Sequence, residues 1–581
     1  MSRLVLWVPL VAFLLLPVAL AGCTCGSGGR GRRDAGGRAQ GEDAAPPAPD
    51  CNCEGRWNFK NVGEDVSALA AEGTPEDGGE LVMWLDSEPA HLQYMLRADA
   101  WTDRIVNHDI VECLVRIDPR SYEVVPELAE RWETSADGLH VTFHLRQGVK
   151  WHDGRPFSSA DVKFTFDRLF DDRVEAGGQR GDFAHIERWE APDEYTFAIH
   201  MREQHFMTMQ NLERLHILAK HVYERGDINT HPNNRAPIGT GPYRFVHWRP
   251  SDEILLVRNR DYWGPRGHLD RIKYKIVRDR AVAFEMARRG ELDFLWRLLP
   301  EQVTDGLSDE LLQEYRLMQH YPSWFSFWIW NSRSPMFADT KNRQAMSMLL
   351  NRPQIRCSVE RCLSRLTATP FPTIHPAHNG DLRPWPYHPR RAERLLDENG
   401  WRDTDGDGVR DKTIGGKKVP FRFTFLATAN STSLQRQAAI VKEDLRRSGI
   451  DMDIQIRDWA VYMQQMENGE FDAGAFLYTM DPEIDLYSLF HSSQVGPGMQ
   501  NYCAFRNERA DRLIEQIRRT LDSNRRDGLQ RDLQALLHEE QPYTFSFVQG
   551  LSTIVKKKFR GVYTSIRQFQ ERDMWIPREL Q

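Results

Sequence analysis

Residues 321–331 read YPSWFSFWIWN, and this segment constrains the fold more than any other. In an extended chain its side chains alternate, so Phe325, Phe327 and Ile329 share one face while Trp324, Trp328 and Trp330 share the other. A strand apolar on both faces has to be covered on both, which places it inside a layered fold rather than along a surface. Two roles for its aromatics stay open: packing in a core, or gripping a ligand where the strand passes between two lobes. Elsewhere the pattern is mixed. Residues 80–85 and 140–145 read as strands, the second with the polar–apolar alternation of a half-buried one. Residues 159–168 (SADVKFTFDR) open with helix-capping types, and a helix from 281 closes at Gly290. Residues 509–520 and 527–539 repeat leucine and isoleucine at helical spacing. Strands and helices interleave, which predicts α/β lobes.

The N-terminus has a different character. One Arg3 precedes an apolar run at 4–20, and Leu20-Ala21-Gly22-Cys23 follows directly. A short positive region before an apolar one is the layout of an export signal, and the four residues resemble the lipobox of bacterial lipoproteins, with Cys23 as the acylated thiol. The alternative is a single uncleaved membrane helix near the lower length limit. Residues 24–78 read as a flexible tether, because a Gly-, Arg-, Ala- and Pro-rich stretch buries too little apolar surface to offset its ordering entropy. Its basic GRGRR run suits either solvent or an anionic lipid surface. Eight cysteines less an acylated Cys23 leave seven, an odd number for an oxidising compartment. Cys357 and Cys362 form the only close pair beyond the tether and could bridge a small loop, whereas zinc lacks its paired Cys-x-x-Cys motifs.

Beyond residue 78, about 500 residues remain, enough for two or three domains. A net charge of −7 argues against nucleic acid as a partner. The sequence contains no phosphate-binding Walker loop, no G-x-S-x-G elbow and no H-E-x-x-H, so it gives no foothold to enzyme chemistry. Seventeen tryptophans are a high count and suit both core packing and a pocket that stacks on its ligand.

Several blocks occur in a distinctive order. They are residues 126–132 (PELAERW), Asp137-Gly138, residues 143–157 (FHLRQGVKWHDGRPF), Ala160-Asp161-Val162, residues 239–243 (GTGPY), 259–263 (NRDYW), 337–352 and 541–544 (QPYT). Together they resemble the signature of family 5 extracellular solute-binding proteins, a group that includes peptide- and nickel-binding proteins of ABC transporters, over residues 79–581. The resemblance implies an α/β, two-lobed periplasmic-binding-protein fold, of the hinged type II, with an extra inserted domain. Carried onto this chain, the signal and lipobox occupy 1–23 and the tether 24–78. The first lobe takes 79–111, 235–320 and a return at 541–581; the inserted domain takes 112–234 and the second lobe 321–540. Within the signature, Asp137-Gly138 and Asp153-Gly154 suit tight turns, so these residues build the fold rather than touch ligand.

Ligand contacts are expected in the interlobe cleft. Trp328, Trp330 and Asn331 belong to the crossing strand, and Asn331 resembles the Asn that follows it in the family. In peptide-binding relatives an aromatic followed three residues later by Asp anchors the ligand's ammonium group, and Tyr478 and Asp481 have that spacing; matching Asp481-Pro482 to a later Asp-Pro instead would leave no anchor. A carboxylate in a closed cleft pairs strongly with a cation. Glu88, in the turn at 86–89, is expected either at the cleft mouth or in solvent. Asp403, Asp405, Asp407 and Asp411 follow the first part of a calcium-loop pattern, but position 12 is Ile414 rather than Glu, so an acidic turn competes with a calcium site.

The expected protein is a lipid-anchored binding protein on the periplasmic side of a bacterial membrane. It is a monomer without cofactor that captures a di- or oligopeptide and delivers it to ABC permease and ATPase subunits. The alternatives are a non-peptide solute such as a nickel chelate, sugar or opine, or a sensory or chaperone-like lipoprotein not coupled to transport.

Overall fold

The computed structural model of the protein describes Cys53 and residues 55–61, 64, 72–96, 100–107, 109–480, 483–496, 498–565 and 568–581. The expected export signal, Cys23 and the GRGRR run lie outside these residues. Among the described residues, no helix is long and apolar enough to cross a membrane.

Two large sheets organise the chain. The eight-stranded sheet runs, edge to edge, through Lys60–Asn61, Tyr315–Tyr321, Leu551–Lys556, Phe294–Leu295, Glu80–Leu85, Arg271–Ile276, Glu253–Arg258 and Tyr243–Arg249. The six-stranded sheet runs through Ser364–Leu366, Tyr543–Gln549, Trp324–Trp330, Ala473–Thr479, Arg422–Thr428 and Asp451–Arg457. Helices cover both, as buried parallel pairs require. The expected α/β two-lobed fold is the one observed.

The chain passes between the sheets twice, at adjacent points. Tyr315–Tyr321 in the first sheet leads through Pro322 and Ser323 into Trp324–Trp330 in the second. Tyr543–Gln549 leads back through Gly550 into Leu551–Lys556. The strands before and after each crossing pair antiparallel with their counterparts at the other. Tyr543–Gln549 therefore belongs with the second sheet, so the return expected at 541 falls at Gly550. Trp324–Trp330 divides its faces as the alternation predicts: Phe325, Phe327 and Ile329 join one second-lobe core, Trp328 and Trp330 another.

A four-stranded antiparallel sheet (Ala129–Thr134, His140–Leu145, Thr196–Met201, Ile186–Asp193) carries its own core, in which Phe143, Trp151, Phe157 and Phe166 are buried. The signature residues act here as builders. Gly138 and Gly154 turn with φ of 68° and 88°, in the left-handed region that glycine adopts without strain. Asp161 accepts from the backbone of Ser158 at 3.0 Å, capping helix Ser159–Leu169, and from Lys220 N at 3.0 Å. Tyr262 and Trp263 of the NRDYW block donate to the two oxygens of fully buried Glu112, at 2.6 and 2.9 Å. Burial first, then the neighbouring Glu127 carboxylate, pushes the Glu112 carboxyl up to about 7.

The last part of the expected tether is docked. Lys60–Asn61 pairs in parallel with His320 and Tyr321, and Phe59 stacks on Tyr321 with ring centroids 5.0 Å apart. Trp57 donates from Nε1 to Arg361 O at 3.2 Å, and Arg365 reaches Asn61 Oδ1 at 3.0 Å. Glu72 accepts from Arg316 at 3.2 Å and from Gly561 N at 2.6 Å. Unlike residues 24–50, this segment contains Trp57 and Phe59, and these rings supply the apolar surface that lets it dock. Cys362 is bonded to Cys53, 309 residues away, and not to Cys357, which is in a disulfide of its own. The strap from Cys53 to Asn61 thus joins the first sheet by hydrogen bonds and the second lobe by a covalent bond. Cys113 and Cys503 are buried.

Candidate functional site

Beside the two crossings, a cavity of about 450 Å³ opens between the lobes. The first lobe contributes Arg280, residues 297–300, Leu551 and Ser552; the second contributes Glu360, Thr428, Ser431, Gln437 and Trp459. The floor is the face of the six-stranded sheet that carries Trp324, Ser326 and Trp328, with Ala475 and Leu477 across from them. Directly opposed residues on an antiparallel pair share a face, so the register puts these side chains together. The floor is apolar and the walls carry hydroxyls, an amide and three charges, the mixture a small-molecule site needs for burial and orientation. Trp459, at the start of helix Trp459–Asn468, is 53% exposed.

The charges are held differently. Arg280 pairs with Asp86 at 2.9 Å, and Trp101 Nε1 donates to the same carboxylate at 2.9 Å. Arg297 lies against Trp296 and Trp324, its guanidinium carbon 4.6 and 4.9 Å from the ring centroids. Its φ of 55° is uncommon for a residue with a Cβ. Desolvation, then the positive charge of Arg280, lowers its pKa to about 10. Glu360, only 6% exposed, accepts from Ser433 Oγ at 3.1 Å and Gln437 Nε2 at 2.9 Å through one oxygen, and burial raises its pKa.

Of the residues expected at the site, Trp328 lines the cavity while stacked on Phe425, centroids 4.3 Å apart. Trp330 does not: it lies on the same face as Trp328 but is fully buried in the core beside it, and donates to Thr544 Oγ1 at 2.9 Å. Asn331 spends its amide on the chain, donating to Phe471 O at 2.6 Å and accepting from Arg333 N at 3.1 Å, so it fixes the strand end rather than facing ligand. Tyr478 opposes Phe325, on the face away from the cavity, and packs on Phe476 and Phe327. Its hydroxyl pKa is raised by burial. Glu88 accepts from Trp248 Nε1 at 2.7 Å with Arg235 3.8 Å away, and does not line the cavity. Asp481 lies outside the described residues. Arg297 and Glu360 went unnoticed in the sequence because nothing in "WRLLP" or "SVERC" marks a charge as buried; only the lobe arrangement does.

The acidic loop brings oxygens of Asp403, Asp405 and Asp411 within 4.8 Å of one another. Their valences are engaged. Asp403 accepts from the backbone of Gly406 and Gly408 at 2.7 and 3.0 Å, and Lys418 Nζ sits 2.6 Å from Asp405 and 3.1 Å from Asp411. Asp407 pairs with Arg422 at 3.2 Å instead of joining the cluster. A lysine already neutralises the place a cation would take, and the loop closes as an Asp/Gly turn.

The family model for Bacterial extracellular solute-binding proteins, family 5 Middle, matches residues 123–497. The chain is 28% identical to the oligopeptide-binding protein AppA of Bacillus subtilis over 508 residues, covering 85% of this chain and 91% of that protein. It is 26% identical to heme-binding protein A of Haemophilus influenzae, over 74% and 80% of the two chains. It is 28% identical to di/tripeptide-binding protein 2 of Pseudomonas aeruginosa, over 75% and 83%. The structure of B. subtilis AppA in complex with a nonapeptide superposes with a TM-score of 0.74, covering 87% of this chain and 100% of that one.

Proposed function

We propose, for a chain that belongs to the family 5 bacterial extracellular solute-binding proteins, that it binds a peptide between its lobes and hands it to an ABC importer. The observation that carries this reading is the cavity at the crossings. Its residues come from both lobes, so a ligand there favours a closed arrangement, and a closed binding protein is a form that a permease can distinguish from an open one. Its volume of about 450 Å³ suits a short peptide better than a single ion. The similarity to AppA and to the Pseudomonas di/tripeptide-binding protein supports the same class of solute.

We further place the protein on the periplasmic side of the membrane, as a monomer held by lipid on Cys23. The first lobe is the eight-stranded sheet with its helices, the second is residues from 324 to 549, and the four-stranded sheet is the inserted domain. Native mass spectrometry of gently purified protein, with thermal shift against a di- to pentapeptide library, tests the function. Co-purified or stabilising peptides are expected. A heme or metal chelate that stabilises the protein while no peptide does would overturn the reading. Cys23→Ser should move the protein from the membrane to the soluble fraction; retention in the pellet with its lipid label would refute the anchor.

A further inference from the structure

The four-stranded sheet carries, on its outer face, two histidines that the solute site does not use. His140 opens strand His140–Leu145, His200 stands near the end of Thr196–Met201, and the antiparallel register sets them directly opposite each other. Val141, Phe143 and Leu145 alternate into the core, so His140 and its partner face solvent. Neither lines the interlobe cavity. The two rings cross at 67°, with their Nδ1 atoms 2.7 Å apart. Each far nitrogen looks onto a carboxylate. His200 Nε2 is 3.1 Å from Glu190 Oε1, and His140 Nε2 is 3.9 Å from Asp137 Oδ2. A carboxylate draws the imidazole proton to the nitrogen it faces and leaves the other as a lone pair. Two lone pairs then converge at the Nδ1 atoms, and such a meeting calls for a cation between them. Arg188 does not supply it. It approaches His200 from the Nε2 side, at 3.1 Å, and pairs with the second Glu190 oxygen at 3.0 Å.

We propose that His140 and His200 form a surface site for a divalent copper ion, bound through the two Nδ1 atoms, with Glu190 and Asp137 as positioning residues on the far nitrogens. Imidazole suits copper, nickel and zinc, and a carboxylate behind the ring fixes its tautomer and raises its basicity. The spacing chooses among these metals. Bonds of about 2.0 Å to one ion put two nitrogens about 2.8 Å apart at a right angle and about 3.3 Å apart at the tetrahedral angle. The observed 2.7 Å is close to the right-angled bite of a square-planar ion, and copper binds most tightly of the divalent series. The His140 ring is about half exposed, which leaves the remaining positions of the square to water. The site stands apart from the solute cavity and does not depend on what that cavity takes.

The test is titration of the full chain with Cu(II), followed by calorimetry and by electron paramagnetic resonance. Other histidines offer copper weaker places, so the variants are read against wild type. His140→Ala and His200→Ala should each lose one equivalent of copper, and with it the splitting from two equivalent nitrogens. His144→Ala should keep both, although its ring shares the face and sits 3.3 Å from Glu133. Glu190→Gln should retain the site and weaken it about 10–100-fold, the usual cost of removing a carboxylate behind a ligating histidine. Zn(II) should compete less well than Cu(II), and Mg(II) not at all. Thermal melts without metal check that each variant is folded. His140→Ala or His200→Ala that binds as much copper as wild type overturns the site. So does a wild-type spectrum at one equivalent that lacks paired nitrogens, whether or not the variants fold; the two rings then share a proton only. Unchanged affinity in Glu190→Gln overturns its positioning role.

Discussion

Glu112→Gln should change how the stability of this protein depends on pH. The wild-type carboxyl is fully buried, hydrogen-bonded by Tyr262 and Trp263, and raised from the ordinary 4.5 to about 7. Burial is the larger cause of the rise, and the neighbouring Glu127 carboxylate adds to it by opposing a second negative charge. A carboxyl whose pKa is higher folded than unfolded binds more protons in the native state. Its contribution is complete below pH 4.5 and is lost as pH climbs to about 7. At about 1.4 kcal/mol per unit, the span is of the order of 3 kcal/mol. Glutamine keeps the shape and can accept from Trp263 while donating to the tyrosine oxygen, but it does not titrate. The assay is urea unfolding by tryptophan emission at pH 5, 6, 7 and 8 for both proteins. Titrations of groups that do not interact with Glu112 are common to the two and cancel in the difference. Wild type should be the more destabilised of the pair at pH 8, by about 3 kcal/mol relative to the comparison at pH 5. A wild-type-minus-variant difference that is flat across this range, or that favours wild type as pH rises, refutes the reasoning.

Two further expectations concern the crossings and the strap. Gly550→Ala would bring a Cβ within 2.6 Å of Leu363 O and against the Phe59 ring, so a loss of about 1–3 kcal/mol is expected in thermal or urea melts; an unchanged midpoint contradicts the packing described. Cys53→Ser opens a covalent loop of 309 residues and should cost about 2–5 kcal/mol of stability, read as a lower urea midpoint together with one newly titratable thiol at Cys362; a variant as stable as wild type means the strap contributes nothing.

Where local chemistry decided the outcome, the sequence was legible. The helix at 159–168, the Gly290 cap and the two Asp-Gly turns follow from nearest neighbours, and the structure has helices Ser159–Leu169 and Arg280–Arg288 and left-handed glycines there. The alternation in 321–331 likewise separated its two faces correctly. The site was less legible, because orientation across a sheet depends on pairing. Tyr478 and Leu477 are adjacent and both apolar, yet only the register with Phe325 and Ser326 says which one faces the cavity. Glu88 reads as a free carboxylate until Trp248, 160 residues on, folds over it. Cys53 offered no clue to its partner, since spacing favoured the near pair and the fold brought the distant one.

The return crossing bears on the order in which the molecule can be made. Leu551–Lys556 is an interior strand of the first sheet, between Tyr315–Tyr321 and Phe294–Leu295, and Tyr543–Gln549 is an interior strand of the second. Synthesis runs from the N-terminus at about 5–20 residues per second, so nearly the whole chain exists before either strand does. Until then each sheet has a gap in its middle, with unpaired N–H and C=O groups on both sides of it. Neither lobe can reach its final hydrogen-bonded state ahead of the other, and pairing over such sequence distances is slow. A chain whose last strands close both sheets stays open until its synthesis is almost done.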